Sequence, residues 1–244
     1  LNKLLGKKNK QFNLDINSEY ESIKTNYLQR KSQKKYLSLA DARKNKLITD
    51  WDNQLMPVPN QIGIQVFNNL SVEDIRSYID WTPFFYTWEM KKKYPLILTD
   101  ENFGEEASQL FKDANSMLDL IIKENWLQVK SVIGVWKANS DGDDILLKNE
   151  KDEIIEKFCT LRQQSIKSNN NLALSDYIAP ETSAIQDYIG SFVCTAGLGI
   201  EKQLSIFENE YDDYNIILLK AIADRLAEAL TEYMHEKIRK EIWG

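Results

Sequence analysis

The stretch Ser77-Tyr78-Ile79-Asp80-Trp81-Thr82-Pro83-Phe84-Phe85-Tyr86-Thr87-Trp88 sets one carboxylate among aromatic rings. Aromatic side chains bury well, and a carboxylate between them is costly unless it meets a cation or several hydrogen-bond donors. Asp80 therefore has one of two roles. It accepts from neighbouring backbone N–H groups as a helix cap, or it receives a cationic ligand. Trp81, Phe84, Phe85 and Trp88 read first as core and second as a ligand cage. A second acidic set lies near the C-terminus. Asp224, Glu228, Thr231 and His235 follow one another at steps of four, three and four on a single helix face. Asp224 and Glu228 repel as an i,i+4 pair, and Arg225, three residues before Glu228, offsets that repulsion. Such a face is either a solvated polar surface or a carboxylate aimed into a groove that holds a cation.

Other chemistries lack their residues. There is a single histidine, His235, so a protein-built zinc site is short of ligands, and no nucleophile elbow accompanies a Ser-His or Cys-His pairing. Cys159 and Cys194 stand 35 residues apart and form no CxxC motif, which reads as two reduced thiols of a cytoplasmic protein. Asp141, Asp143 and Asp144 lack the rest of a calcium loop and read as a turn. Gly197-Leu198-Gly199 has no third glycine and also reads as a turn rather than a dinucleotide fingerprint.

Charge and hydropathy narrow the class further. Residues 1–60 carry 12 Lys/Arg against 6 Asp/Glu, and residues 61–244 carry 19 against 31. An acidic body argues against nucleic acid as a partner, and the basic cluster Arg30-Lys31-Ser32-Gln33-Lys34-Lys35 reads as a solvated linker or a dock for an acidic partner. No apolar run approaches a membrane span, and Leu1 to Lys8 makes a poor signal peptide. The missing initiator Met points to a processed product or an excised fragment.

Residues 1–60 read as an arm: a helix from Asp15 to Gln33, then a short helix capped by Ser38, then Pro57 and Pro59. Ser71 to Asp74 has the acid of a capping box and opens a helix toward Tyr78 that continues in part through the aromatic run. Phe103 to Asn125 is an amphipathic helix with Ala107, Leu110, Phe111, Ala114, Met117, Leu118, Ile121 and Ile122 on one stripe. Val129 to Ala138 and Ile145 to Leu147 flank an Asp-Gly turn and predict a hairpin. Residues 150–168 read as helical, Asn169 to Asn171 as a loop and Asp187 to Ala196 as a buried strand. Tyr214 to Trp243 reads as a long helix. Helices, a few strands and helices again, without βαβ alternation, give an α+β fold with an antiparallel sheet.

Several segments carry a likeness that covers nearly the whole chain: Asp80-Trp81-Thr82-Pro83-Phe84-Phe85, Leu110-Phe111-Lys112-Asp113-Ala114-Asn115, Gly142-Asp143-Asp144-Ile145, Leu161-Arg162-Gln163-Gln164, Asp187-Tyr188-Ile189-Gly190, Asp212-Asp213-Tyr214 and Ala223-Asp224-Arg225-Leu226-Ala227-Glu228-Ala229. In type and order they resemble the C-terminal activation domain of cobalamin-dependent methionine synthase. Glu19-Tyr20-Glu21 and Ala40-Asp41-Ala42-Arg43 resemble the linker after that enzyme's cobalamin-binding domain.

The resemblance implies a C-shaped α+β unit around a twisted antiparallel sheet, with a linker arm over 1–60 and the reactivation domain over 61–244. It implies that S-adenosylmethionine binds in a shallow groove and that its methyl group serves the reductive methylation of cob(II)alamin. Cobalamin is held by a neighbouring domain, and the electron comes from flavodoxin or a flavoprotein reductase. Asp80 matches the family's aspartate at the ligand's amino group, and Glu228 matches a glutamate of the same site. The family's Arg-x-x-x-Gly-Tyr segment lies downstream of Gly244, so the groups expected to hold the ligand's carboxylate are not among these 244 residues. The enzyme implied is a methyltransferase, with this part inactive alone. Two rival readings stand beside it: an interaction module that docks a cobalamin domain or a flavoprotein without binding ligand, and an independent small-molecule methyltransferase.

Overall fold

A computed structural model describes residues 9–33, 35–166 and 168–244. Leu1 to Lys8, Lys34, Lys167 and the side chains of Arg30 to Gln33 lie outside the described residues, and with them the signal-peptide reading and most of the basic cluster. The chain forms two compact units. The first comprises Leu1–Gln54, Asn139–Leu146 and Ile155–Ile185; the second comprises Leu55–Ala138, Leu147–Ile154 and Gln186–Gly244. No helix among the described residues is long and apolar enough to cross a membrane.

The second unit carries the larger part of a five-stranded sheet and three longer helices. Strands β1 (Gly63–Leu70), β2 (Gln128–Asp141), β3 (Asp144–Lys148) and β4 (Ile154–Cys159) follow one another in order, and β5 (Asp187–Leu198) pairs with the other edge of β2. Both β1 and β5 run antiparallel to β2, with Val66 opposite Val132 and Val132 opposite Val193. The α+β reading with an antiparallel sheet is the observed architecture, and the hairpin turns at Gly142 as the Asp-Gly signal predicts.

The helices are named in chain order: α1 (Asn9–Gln33), α2 (Leu39–Lys44), α3 (Val72–Arg76), α4 (Trp81–Thr87), α5 (Gly104–Glu124), α6 (Ile200–Asn209) and α7 (Asp213–Lys237). Their starts are written locally. Ser38 caps α2 by accepting from Asp41 N–H, and Ser71 with Asp74 closes a full capping box on α3. Helix α5 ends at Asn125 in the left-handed conformation, a common stop. Helix α7 runs on into a wider π-helical turn, Ile238–Trp243, whose carbonyls are taken up by the chain before β1. Asn60 N–H donates to Trp243 O and Gln61 N–H to Ile242 O, both at 3.1 Å.

Three expectations need correction. Residues 150–168 are not helical: β4 occupies Ile154–Cys159, and irregular chain follows. The helix-forming Glu, Lys and Gln residues are overruled by pairing at the sheet's end, where Ile154, Ile155 and Phe158 suit a strand. Strand β5 is only partly buried, because one face packs against α7 and Val193 on the other is 74% exposed. The helix opened by Ser71 stops at Arg76, and the aromatic run forms its own helix, α4. Helix α6 was not foreseen; Gly199, at φ 96°, supplies the turn into it.

Candidate functional site

Asp80 is the N-cap of α4. Its Oδ1 accepts the Thr82 N–H at 2.9 Å, and the residue is exposed. Pro83 falls in the first turn, where its missing N–H has no helical partner to lose. The cap therefore accounts for one carboxylate oxygen. No hydrogen bond engages the other among the described residues.

The aromatic residues behind the cap divide into two groups. Phe84 and Phe85 are fully buried and belong to the core, so a ligand cannot use them. Trp81 is half-buried and meets Phe84 and Phe111 edge-on, with ring centroids 5.3 and 4.8 Å apart. Trp88 packs on Tyr214 at 5.5 Å, and its Nε1 is buried without a partner. Burial and the Asp113 carboxylate, which accepts from the Tyr214 hydroxyl at 2.7 Å, push the Tyr214 phenol up to about 12.

These contacts fix how the segment lies on α7. At one end Tyr78 meets the Tyr233 ring edge-on at 5.6 Å, and its hydroxyl donates to Glu236 at 2.8 Å. At the other end Trp88 meets Tyr214. The segment 78–88 therefore runs antiparallel along α7, and Asp80 lies between the two anchors in sequence. Helices α4 and α7 pack directly together. No sequence signal marks the Tyr78–Glu236 bond, because its partners are 158 residues apart.

Glu228 lies on α7 between Tyr214 and Tyr233. It is exposed, and Arg225 donates to both of its oxygens, Nη1 to Oε2 at 2.6 Å and Nη2 to Oε1 at 3.0 Å. Arg225 also donates to Asp224 at 2.5 Å. Burial opposes the charge on Arg225, and the hydrogen bonds and charges of Asp224 and Glu228 outweigh it, holding the guanidinium above its ordinary pKa. The offset expected from the spacing is thus a bidentate pair. Thr231 turns away from the acids; its hydroxyl donates to Ala227 O at 3.0 Å. His235 is exposed.

Among the described residues, three cavities lie elsewhere, and neither Asp80 nor Glu228 lines any of these three. One of about 410 Å³ sits in the second unit between the end of α5 and the Asn68-Asn69 bulge of β1. Two belong to the first unit, of about 160 and 500 Å³. No cluster of three or more His, Cys, Asp or Glu suited to a metal occurs among the described residues. Asp143, read from sequence as part of a turn, has a further role there. It accepts from Arg43 at 2.8 Å and from Arg162 at 2.9 Å, while Arg162, with a fully buried side chain, donates to both oxygens of Asp176.

The family model described as vitamin B12 dependent methionine synthase, activation domain, matches residues 71–244. The chain is also similar to the crystal structure of the MetH reactivation domain bound to AdoHcy, at 45% identity and a TM-score of 0.82 over 86% of this chain. It spans 65% of the length of that relative.

Proposed function

Since the chain belongs to the vitamin B12-dependent methionine synthase activation-domain family, we propose that it binds S-adenosylmethionine and supports reductive methylation of a cobalamin carried by a neighbouring domain. The observation that carries this reading is the likeness to a reactivation domain bound to AdoHcy, the demethylated form of the same ligand. Asp80 and Glu228 are the residues we assign to the ligand. S-adenosylmethionine presents an ammonium and a sulfonium, and both are complemented by exposed carboxylates on the packed pair α4 and α7. Asp80 keeps one oxygen free beyond its cap, and Arg225 holds the Glu228 carboxylate in a fixed orientation.

Methyl transfer of this kind depends on positioning a donor against an acceptor more than on an acid or base. A single, exposed histidine is then no obstacle. Cobalamin supplies the metal-centred methyl acceptor, and no residue of this chain is assigned to hold it. The partners that follow are the cobalamin-binding domain of a larger cytoplasmic methyltransferase and a flavodoxin-type or reductase electron donor, with this part inactive by itself. Residues 1–60 would serve as the linker arm and 61–244 as the reactivation domain.

Titration calorimetry of S-adenosylmethionine tests the reading. Asp80→Ala and Glu228→Gln are each expected to weaken binding more than tenfold; unchanged affinity in both refutes the assignment. A second reading, a docking module without ligand, draws on α1, where Leu14, Tyr20, Ile23 and Tyr27 are exposed. Salt-dependent association with flavodoxin, together with no S-adenosylmethionine binding, would favour it.

A further inference from the structure

The cavity of about 160 Å³ in the first unit has no role in the ligand site proposed above. Its wall joins Lys46, Thr49 and Trp51 from the chain after α2, Gly142 at the hairpin tip, and Ser175 and Asp176 from the short 3-10 turn Leu174–Tyr177. Ser175 is 2% exposed, and its Oγ has no hydrogen-bond partner. Buried hydroxyls are nearly always paired, so an orphan in a cavity wall marks a place for a polar occupant.

The charges around it decide which polar occupant. Arg43 and Arg162 balance Asp143 and Asp176, two cations against two carboxylates, through the hydrogen bonds already described. Arg162 is saturated, since it also donates to Asn171 O at 2.7 Å. Asp176 is held by Arg162 on both oxygens and takes the Ala173 N–H as well. That leaves Lys46 at the rim of the cavity; its charge helps to hold the Asp176 carboxyl low without a hydrogen bond between them, so the set counts three cations against two carboxylates. An ammonium offers only donors, and the Ser175 hydroxyl has its donor to give. An unbalanced positive charge and a buried free donor on one small cavity are the complement of an oxyanion.

We propose that this cavity is a binding site for a small oxyanion, an inorganic phosphate or the carboxylate of a short-chain acid, held by Lys46 and Ser175. The volume admits such an ion and excludes a nucleotide. Arg162 would not touch the ion. Through Asp143 and Asp176 it keeps the hairpin tip and the Leu174–Tyr177 turn in register, so that the two donors face one space.

Amide-resolved NMR titration of the chain with inorganic phosphate and, separately, with acetate tests the proposal, with chloride holding ionic strength constant. Saturable shifts are expected at the Gly142, Ser175 and Asp176 amides and at the Trp51 indole. The anion that saturates at the lower concentration identifies the phosphoryl or carboxylate class. Lys46→Gln, which alters an exposed side chain, and Ser175→Ala should each weaken that binding at least tenfold. Shifts that do not saturate, that chloride reproduces, or that persist unchanged in both variants would mean an adventitious ion only and overturn the proposal. So would the absence of any shift at these positions.

Discussion

Asp80 serves a helix in this structure and, by our reading, a ligand, and the two roles separate on substitution. Its Oδ1 accepts the Thr82 N–H at 2.9 Å, so Asp80→Ala removes the N-cap of α4 and costs about 1 kcal/mol of stability. Asn caps about as well as Asp, so Asp80→Asn keeps the cap and discards only the charge. A charge-assisted hydrogen bond from the ligand's ammonium is worth about 1.5–3 kcal/mol, or roughly ten- to a hundredfold in affinity. Asp80→Asn is therefore expected to melt near the wild type by calorimetry and to bind S-adenosylmethionine at least tenfold more weakly. Titration of AdoHcy in parallel locates the contact. That molecule keeps the ammonium and lacks the sulfonium charge, so equal losses for both ligands assign Asp80 to the ammonium. Wild-type affinity in Asp80→Asn, with a loss in Asp80→Ala, would refute the ligand role and leave Asp80 as a cap.

Three further outcomes follow from the packing. Arg162→Met strands the buried Asp176, leaves Asp143 with Arg43 alone, and is expected to destabilise the first unit by about 3–5 kcal/mol in denaturant titrations. Burial works to raise the pKa of Asp143 and Asp176, and the hydrogen bonds of Arg43 and Arg162 overcome it and hold both below the ordinary carboxylate value. Their stabilisation is therefore complete above about pH 4 and is lost as pH falls through the lowered values, a dependence that Arg162→Met should reduce while Arg43 still holds Asp143. Gly134→Ala would set a Cβ 1.9 Å from the Trp136 ring, which must move; a cost of about 1–3 kcal/mol and a changed indole emission are expected. One tyrosine, Tyr214, should titrate near pH 12 in ultraviolet difference spectra. Its raised value adds stability below about pH 10 that disappears as pH climbs toward 12. Asp113→Asn should lower its pKa only in part, because burial is the larger cause.

What the sequence disclosed was local. Ser38 and Ser71 announce their helices because a cap is decided within four residues, and the stripe from Ala107 to Ile121 places α5 because its period is self-contained. The Arg225–Glu228 pair is legible for the same reason. Strand β4 is hidden because helix-forming Glu, Lys and Gln surround the short run of Ile154, Ile155 and Phe158, which becomes a strand only beside β3. The Arg162 network was missed because its partners lie 14 and 19 residues away, with no periodic signal connecting them. For the candidate site, the residue types of Asp80 and Glu228 could be named in advance. The contacts that lay α4 along α7 could not, since four of the five strands separate Tyr78 from Glu236 in the chain.

The last turn of a long helix ordinarily frays, since its carbonyls have no donor to accept from but water. Here Asn60 and Gln61 clasp the carbonyls of Ile242 and Trp243, and the Asn60 amide reaches Glu241 O at 3.3 Å. The Trp243 ring lies beside Gly190, near enough that a Cβ added there would just touch it. Deuterium should thus enter this turn no faster than it enters the middle of α7, and a cut between residues 54 and 60 should leave the clasp intact. A load pulling on Gly244 would be borne first by the backbone beside β1, and only afterwards by the helix.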